Sequence, residues 1–104
     1  MGHLGAKRPY RGGMLLAMKL TRDLILITRG RYAARSGEGA AIRHASGLTL
    51  AEVATAIGAT PSAVCKWERG DRLPRSDFAR RYAQLLAALD QENGSRRDRE
   101  AQAA

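Results

Sequence analysis

Cysteine is nearly absent from this chain, with Cys65 the only one among 104 residues. A lone thiol excludes an internal disulfide framework and a CxxC metal site, and it suits a reducing, cytoplasmic setting. Histidine is almost as scarce: only His3 and His44 are present, and neither has partners for a zinc site or a catalytic pair. The chain also lacks a glycine-rich phosphate loop, a nucleophile elbow and paired carboxylates at helical spacing. An enzyme is not expected, and neither is a metal or a cofactor. Long apolar runs are missing too. Met14 to Met18 and Leu24 to Ile27 are parted by Lys19, Arg22 and Asp23, and each is too brief for a secretory signal or a membrane span. The expectation is a protein that stays inside the cell, with no membrane partner.

Acidic side chains are outnumbered, 10 Asp and Glu against 18 Lys and Arg, for a formal charge of +8. The excess is uneven. Residues 1–35 hold eight basic side chains and one acid, residues 36–91 seven and six, and residues 92–104 three of each. This balance favours a nucleic-acid partner, with an affinity that falls steeply with salt. At this length the chain holds one domain plus tails, without a core large enough for a separate catalytic domain.

The stretch Leu48 to Gly70, LTLAEVATAIGATPSAVCKWERG, is the most informative segment. Thr49 and Glu52 have the spacing of a capping box, and Leu48 and Val53 that of the accompanying hydrophobic staple. Gly58 stands where a helix stops in a left-handed residue. Thr60-Pro61 restarts one, with threonine as N-cap and proline at the first helical position. Stop and restart lie two residues apart, so the second helix must cross the first steeply, as in a helix-turn-helix that places one helix in the DNA major groove. Val53, Ile57, Ala59, Val64 and Trp67 form the inward set, with small Ala54 where the helices pass. Ser62, Cys65, Lys66 and Arg69 collect on the opposite face.

These residues resemble the lambdoid phage repressor/Cro family of helix-turn-helix domains, also called XRE-like. That pattern runs from an arginine-containing first helix through GLTQEELA and GVS to a recognition helix closed by ERG, then a proline and a fourth helix. Arg43, Gly47-Leu48-Thr49, Glu52-Val53-Ala54, Gly58-Ala59-Thr60, Glu68-Arg69-Gly70 and Pro74 stand in those places, in order and without insertion, across about residues 37–90. The resemblance implies a recognition helix at 61–69. Base edges then fall to Ser62 and Lys66, with Ala63 and Cys65 in van der Waals contact. Lys66 either donates to guanine O6/N7 or meets a phosphate. Phosphate contacts fall to Thr49, Thr60, Arg69, Arg72 and Arg75. Arg43 and Glu68 take the places of a partly buried ion pair and are architectural. Leu50 departs from the pattern: many members have a phosphate-bracing glutamine there, so that contact is either absent or passes to the Thr49 hydroxyl or backbone amides. Cys65 is either a small residue tolerated at the interface or a redox-sensing thiol on the DNA-facing side.

The rest of the chain is read around this unit. Residues 1–13 are a disordered basic arm, in which Lys7, Arg8 and Arg11 either reach a neighbouring groove or stay solvated. Residues 14–36 form an extra N-terminal helix. There Leu20, Leu24, Ile27 and Arg31 share a stripe, with Ile25, Thr28 and Tyr32 beside it, although the β-branched run Leu24 to Thr28 leaves a strand open. Residues 37–91 are the helix-turn-helix domain. Ser36 caps a helix from Gly37 to Ser46, and Ser76 caps a last helix from Asp77 to about Gln91 that buries Phe78, Tyr82, Leu85, Leu86 and Leu89. Residues 92–104, polar and charge-balanced, are a disordered tail. The fold class is all-α: a small helix-turn-helix bundle of four core helices plus the N-terminal helix, with flexible tails.

The functional expectation is a sequence-specific double-stranded DNA-binding transcriptional regulator, a small phage or bacterial repressor that occupies an operator, cytoplasmic and nucleoid-associated. The alternative is a protein-interaction module on the same fold, such as an antitoxin or a phage accessory factor, using Leu24 to Ile27 and Tyr32. A single module buries only about 600–1,000 Å² on DNA. A homodimer reading half-sites about 34–36 Å apart is therefore favoured, with a monomer held by its basic arm as the other reading.

Overall fold

The computed structural model describes residues 8–103, with side chains described from Gly13 onward. Five helices follow one another: α1 (Arg8–Ser36), α2 (Glu38–Ala45), α3 (Leu50–Ile57), α4 (Pro61–Glu68) and α5 (Ser76–Ala103). No strand occurs among the described residues. The bundle is all-α, with four core helices and one added at the N-terminus, as the sequence pattern predicts.

The core collects on the helix-turn-helix unit. Val53, Ala54 and Ile57 of α3 and Val64 and Trp67 of α4 are buried with Ile42 of α2 and Tyr82 and Leu86 of α5. Ala59 is half-buried at the turn, and Phe78, Leu85 and Leu89 pack partly buried around this cluster. The turn is made by Gly58, whose φ of 76° is left-handed. Its N–H donates to Thr55 at 3.3 Å and that of Ala59 to Ala54 at 2.9 Å. These two bonds satisfy the carbonyls that a helix end leaves open. The same pair of bonds closes α2 beyond Gly47 and α4 beyond Gly70.

α1 resolves as a helix through the β-branched run, but its inward face is not the leucine stripe. Leu24 is 63% and Leu20 52% exposed. The buried residues are instead Gly30, Ala33 and Ala34. A Cβ at Gly30 would overlap the carbonyl of Ala79 on α5, so the two backbones approach too closely for large side chains. Arg31 fastens the same crossing, donating from Nε to the carbonyl of buried Pro74 at 3.1 Å.

Residues 8–13 and 92–103 are helical where disorder was expected. α1 begins at Arg8 rather than near residue 14, because MLLAMKL consists of strong helix formers and a helix once nucleated propagates cheaply. Lys7 lies outside the described residues, as do the side chains of Arg8 and Arg11. α2 starts at Glu38 with left-handed Gly37 in the cap position. Ser36, expected there, sits one residue earlier and accepts from the Glu38 N–H at 3.3 Å. α5 continues past Gln91 to Ala103. Its extension is anchored by polar contacts: Asn93, 4% exposed, donates to Ser46 Oγ at 3.0 Å, and Arg96 donates to the Ala45 carbonyl at 2.7 Å. The α2 C-terminus thus finds its cap on α5.

Candidate nucleic-acid interface

α4 is only eight residues long, too short to be stable alone, so its orientation is imposed by its ends and its inner face. At the start, Thr60 Oγ1 accepts from the Ala63 N–H at 3.1 Å and Pro61 occupies the first turn. Inward, Val64 is fully buried, and the Trp67 ring tilts against Tyr82 at 5.4 Å and Phe78 at 6.0 Å. At the end, Glu68 takes Arg43 in a two-pronged pair: Nε to Oε2 at 2.6 Å and Nη2 to Oε1 at 2.8 Å. Arg43 Nη1 donates further to the Leu48 carbonyl at 2.9 Å. The two side chains are 12% and 9% exposed. The bonds to the Glu68 carboxylate raise the pKa of the Arg43 guanidinium, against the opposing effect of burial.

With Val64 and Trp67 turned in, Ser62, Lys66 and Arg69 turn out and are exposed. Their spacing of four and three puts them in one stripe. Cys65 is half-buried beside it. Ala63 is also half-buried and packs against the core, so its methyl is partly committed inward. Arg69 pairs with Asp71 at 3.3 Å, but the partners are 70% and 53% exposed. Such a pair is worth little and can yield to a stronger anion. Arg72 and Arg75 are exposed in the segment joining α4 to α5.

Thr49 and Thr60 cap α3 and α4 in the same manner. Thr49 Oγ1 accepts from the Glu52 N–H at 3.0 Å, while its own N–H donates to Glu52 Oε1 at 2.9 Å. These bonds hold the Glu52 carboxyl below its usual pKa. The Thr49 amide is therefore engaged inside the capping box and cannot replace the missing glutamine brace. Each threonine hydroxyl accepts one bond and keeps its hydrogen to donate. Leu50 packs against the core, which accounts for an apolar residue at that position.

Two arginines escape the sequence reading. Arg31, Arg75 and Arg81 line a depression of about 540 Å³ with Ser76, Asp77 and Phe78 at the start of α5. Arg81 reaches back to the Ile57 carbonyl at 3.3 Å, beside the Gly58 turn. No spacing signal marked them: Arg31 looked like one member of an α1 stripe, and Arg81 lies between core positions of α5.

A family model described as a helix-turn-helix domain matches residues 40–101, from α2 through nearly all of α5. No curated protein and no solved structure gives a significant match. No described helix is long and apolar enough to cross a membrane.

Proposed function

The chain belongs to the helix-turn-helix domain family, and from that premise we propose that it is a sequence-specific double-stranded DNA-binding transcriptional regulator. It is a small repressor of the phage and bacterial Cro/XRE-like kind, non-catalytic and without a cofactor, that excludes polymerase by occupying an operator. The observation that carries this reading is the exposed stripe Ser62, Lys66 and Arg69 on a helix clamped at both ends. α4 enters the major groove, where Ser62 and Lys66 read base edges, Cys65 and Ala63 add van der Waals contact, and Arg69 meets the backbone. Thr49 and Thr60 hydroxyls with Arg72 and Arg75 position the protein on phosphates, and Arg31 and Arg81 extend that cationic edge.

Selection of full-length protein against random duplexes tests the reading, and enrichment of one sequence is expected. Lys66→Ala should cost about 1–3 kcal/mol at its own base pair and relax specificity there. Arg75→Ala should weaken binding to all sequences alike. A protein that enriches nothing, or whose preference is unchanged in a Ser62→Ala/Lys66→Ala variant, removes the assignment. The second reading, a protein-interaction module, is favoured by uncovered apolar side chains on α1 and predicts no such enrichment.

A further inference from the structure

α1 projects its first half beyond the bundle, and between Met14 and Leu20 its exposed side chains are apolar except for Lys19. Met14, Leu15, Leu16, Met18 and Leu20 are each 52–68% exposed. Apolar side chains spread over so much of a helix's girth are ordinarily buried. Farther along, Leu24, Ile25 and Tyr32 remain 46–63% exposed, so eight of the nine exposed large apolar side chains among the described residues lie on this one helix. Each such side chain offers on the order of 100 Å². Their sum exceeds the 300–600 Å² patch typical of a monomer.

The spacing of this surface is ordered. Met14, Met18, Thr21, Ile25, Thr28 and Tyr32 recur at alternating steps of four and three, the seam of a two-stranded coiled coil. The seam lies opposite the Gly30–Ala34 face that packs on α5, so the bundle does not cover it. Two depressions continue along its flank. One of about 390 Å³ is lined by Thr21, Leu24, Ile25, Thr28 and Arg29. The next, of about 480 Å³, shares Thr28 and Arg29, has apolar Tyr32, Ile42 and Leu86 in its lining, and also carries Arg35, Glu38 and Asp90. The helix therefore carries a largely apolar rod at one end and a partly apolar trough at the other, about 27 Å apart at 1.5 Å per residue.

We propose that α1 is the dimerisation element, pairing antiparallel with α1 of a second copy so that each projecting tip fills the other's trough. A two-fold axis near residue 23 places Met14 of one copy beside Tyr32 of its mate, Met18 beside Thr28 and Thr21 beside Ile25. Rod and trough are then filled at once by a single isologous contact. The second copy is the fitting occupant because the unmatched surfaces are complementary to each other and lie on the same chain. Arg22 and Arg29 border the seam and reach solvent over it by their aliphatic stems. The proposal is independent of the DNA-binding assignment, since its test contains no DNA.

Sedimentation equilibrium of the full chain at tens of micromolar should give twice the 11.3 kDa monomer mass. Ile25→Glu and Met18→Glu should each weaken the dimer at least about 100-fold while the thermal transition followed at Trp67 persists, because both side chains lie off the core. Orientation is read by mixing Met14→Cys and Tyr32→Cys proteins, each carrying Cys65→Ser. Mixed 14–32 disulfides are expected. Predominant 14–14 linkage reports a parallel pair and overturns the antiparallel fit. A wild-type chain that sediments as a monomer overturns the whole proposal, even if a lipid vesicle or another protein then binds α1. So does a dimer indifferent to both glutamates.

Discussion

Replacing Tyr82 by phenylalanine should stabilise this protein, although Tyr82 is only 1% exposed and centrally packed. Its hydroxyl lies against the backbone of Gly39 and has no hydrogen-bond partner among the described residues. A buried hydroxyl without a partner costs roughly 1–3 kcal/mol, whereas its removal leaves the ring on Trp67 in place. Some packing against Gly39 is lost, so the expected gain is about 1 kcal/mol at neutral pH. Burial also pushes the phenol up to about 12, with the nearby Glu68 carboxylate adding and Arg43 opposing. In the unfolded chain the phenol titrates near about 10. Between those values the unfolded state has lost its proton and the folded state has not. Wild-type stability must then fall as pH rises, by about 1.4 kcal/mol per unit from this group. Phenylalanine lacks that loss, so its advantage should widen between pH about 10 and about 12. Urea unfolding followed by Trp67 fluorescence, read as the difference between the two proteins, cancels the other titrating groups. A phenylalanine variant less stable at neutral pH, or an advantage flat up to about pH 11, would refute the orphaned hydroxyl. Gly39→Ala is the companion test. Its methyl would overlap the hydroxyl and sit 2.9 Å from Cζ, costing about 1–3 kcal/mol, and it should cost less in the phenylalanine background.

Glu68→Ala should cost about 3–5 kcal/mol, because Arg43 is left buried and unpaired. Arg43→Met/Glu68→Leu should lose less than either single change, as a thermal-melt double-mutant cycle would show. Thr49→Ala should cost about 0.5–2 kcal/mol by opening the α3 cap. The Glu52 carboxyl is lowered by the same bonds. Its contribution is therefore present above the ordinary carboxylate range and lost as pH falls through the lowered value, and most of that acid loss should persist in Thr49→Ala, which keeps the backbone N–H that is the larger cause. Asn93→Ala should raise amide hydrogen exchange over residues 94–103 while barely moving the bundle's melting temperature. Unchanged exchange would mean that the Ser46 contact does not hold the extension.

The helix-turn-helix unit was legible because its determinants are local. Thr49 and Glu52 are three residues apart, Gly58 ends one helix and Thr60-Pro61 begins the next. Each signal is contained within a single turn of chain. The Arg43–Glu68 pair spans 25 residues and was reached only through family resemblance. The α5 extension was not legible, since it has no apolar period. What holds it is Asn93 meeting Ser46 across 47 residues, a polar contact that composition reads as disorder. α1 misled for the opposite reason. Its leucines and isoleucines dominate the pattern, yet Gly30, Ala33 and Ala34 do the packing because the α5 backbone comes so near. Large apolar residues mark a face that needs covering, and here the bundle is not what covers it.

That misreading bears on how the protein would hold DNA. Residues 36–91 have seven basic and six acidic side chains, and Arg69 already shares its charge with Asp71. One reading head therefore brings few net phosphate contacts, and each contact contributes only about 0.9 to the logarithmic salt slope. Doubling the head through α1 doubles the phosphate contacts and the base contacts together. A basic N-terminal third adds phosphate contacts alone. The two routes to affinity predict different consequences. A dimer gains specificity along with its salt dependence, because both half-sites must fit. A monomer gripping through its N-terminal charge gains salt dependence without selectivity. Since the apolar seam and eight of the basic residues occupy the same first 35 residues, a glutamate at Ile25 separates them. It removes pairing while leaving every basic side chain in place.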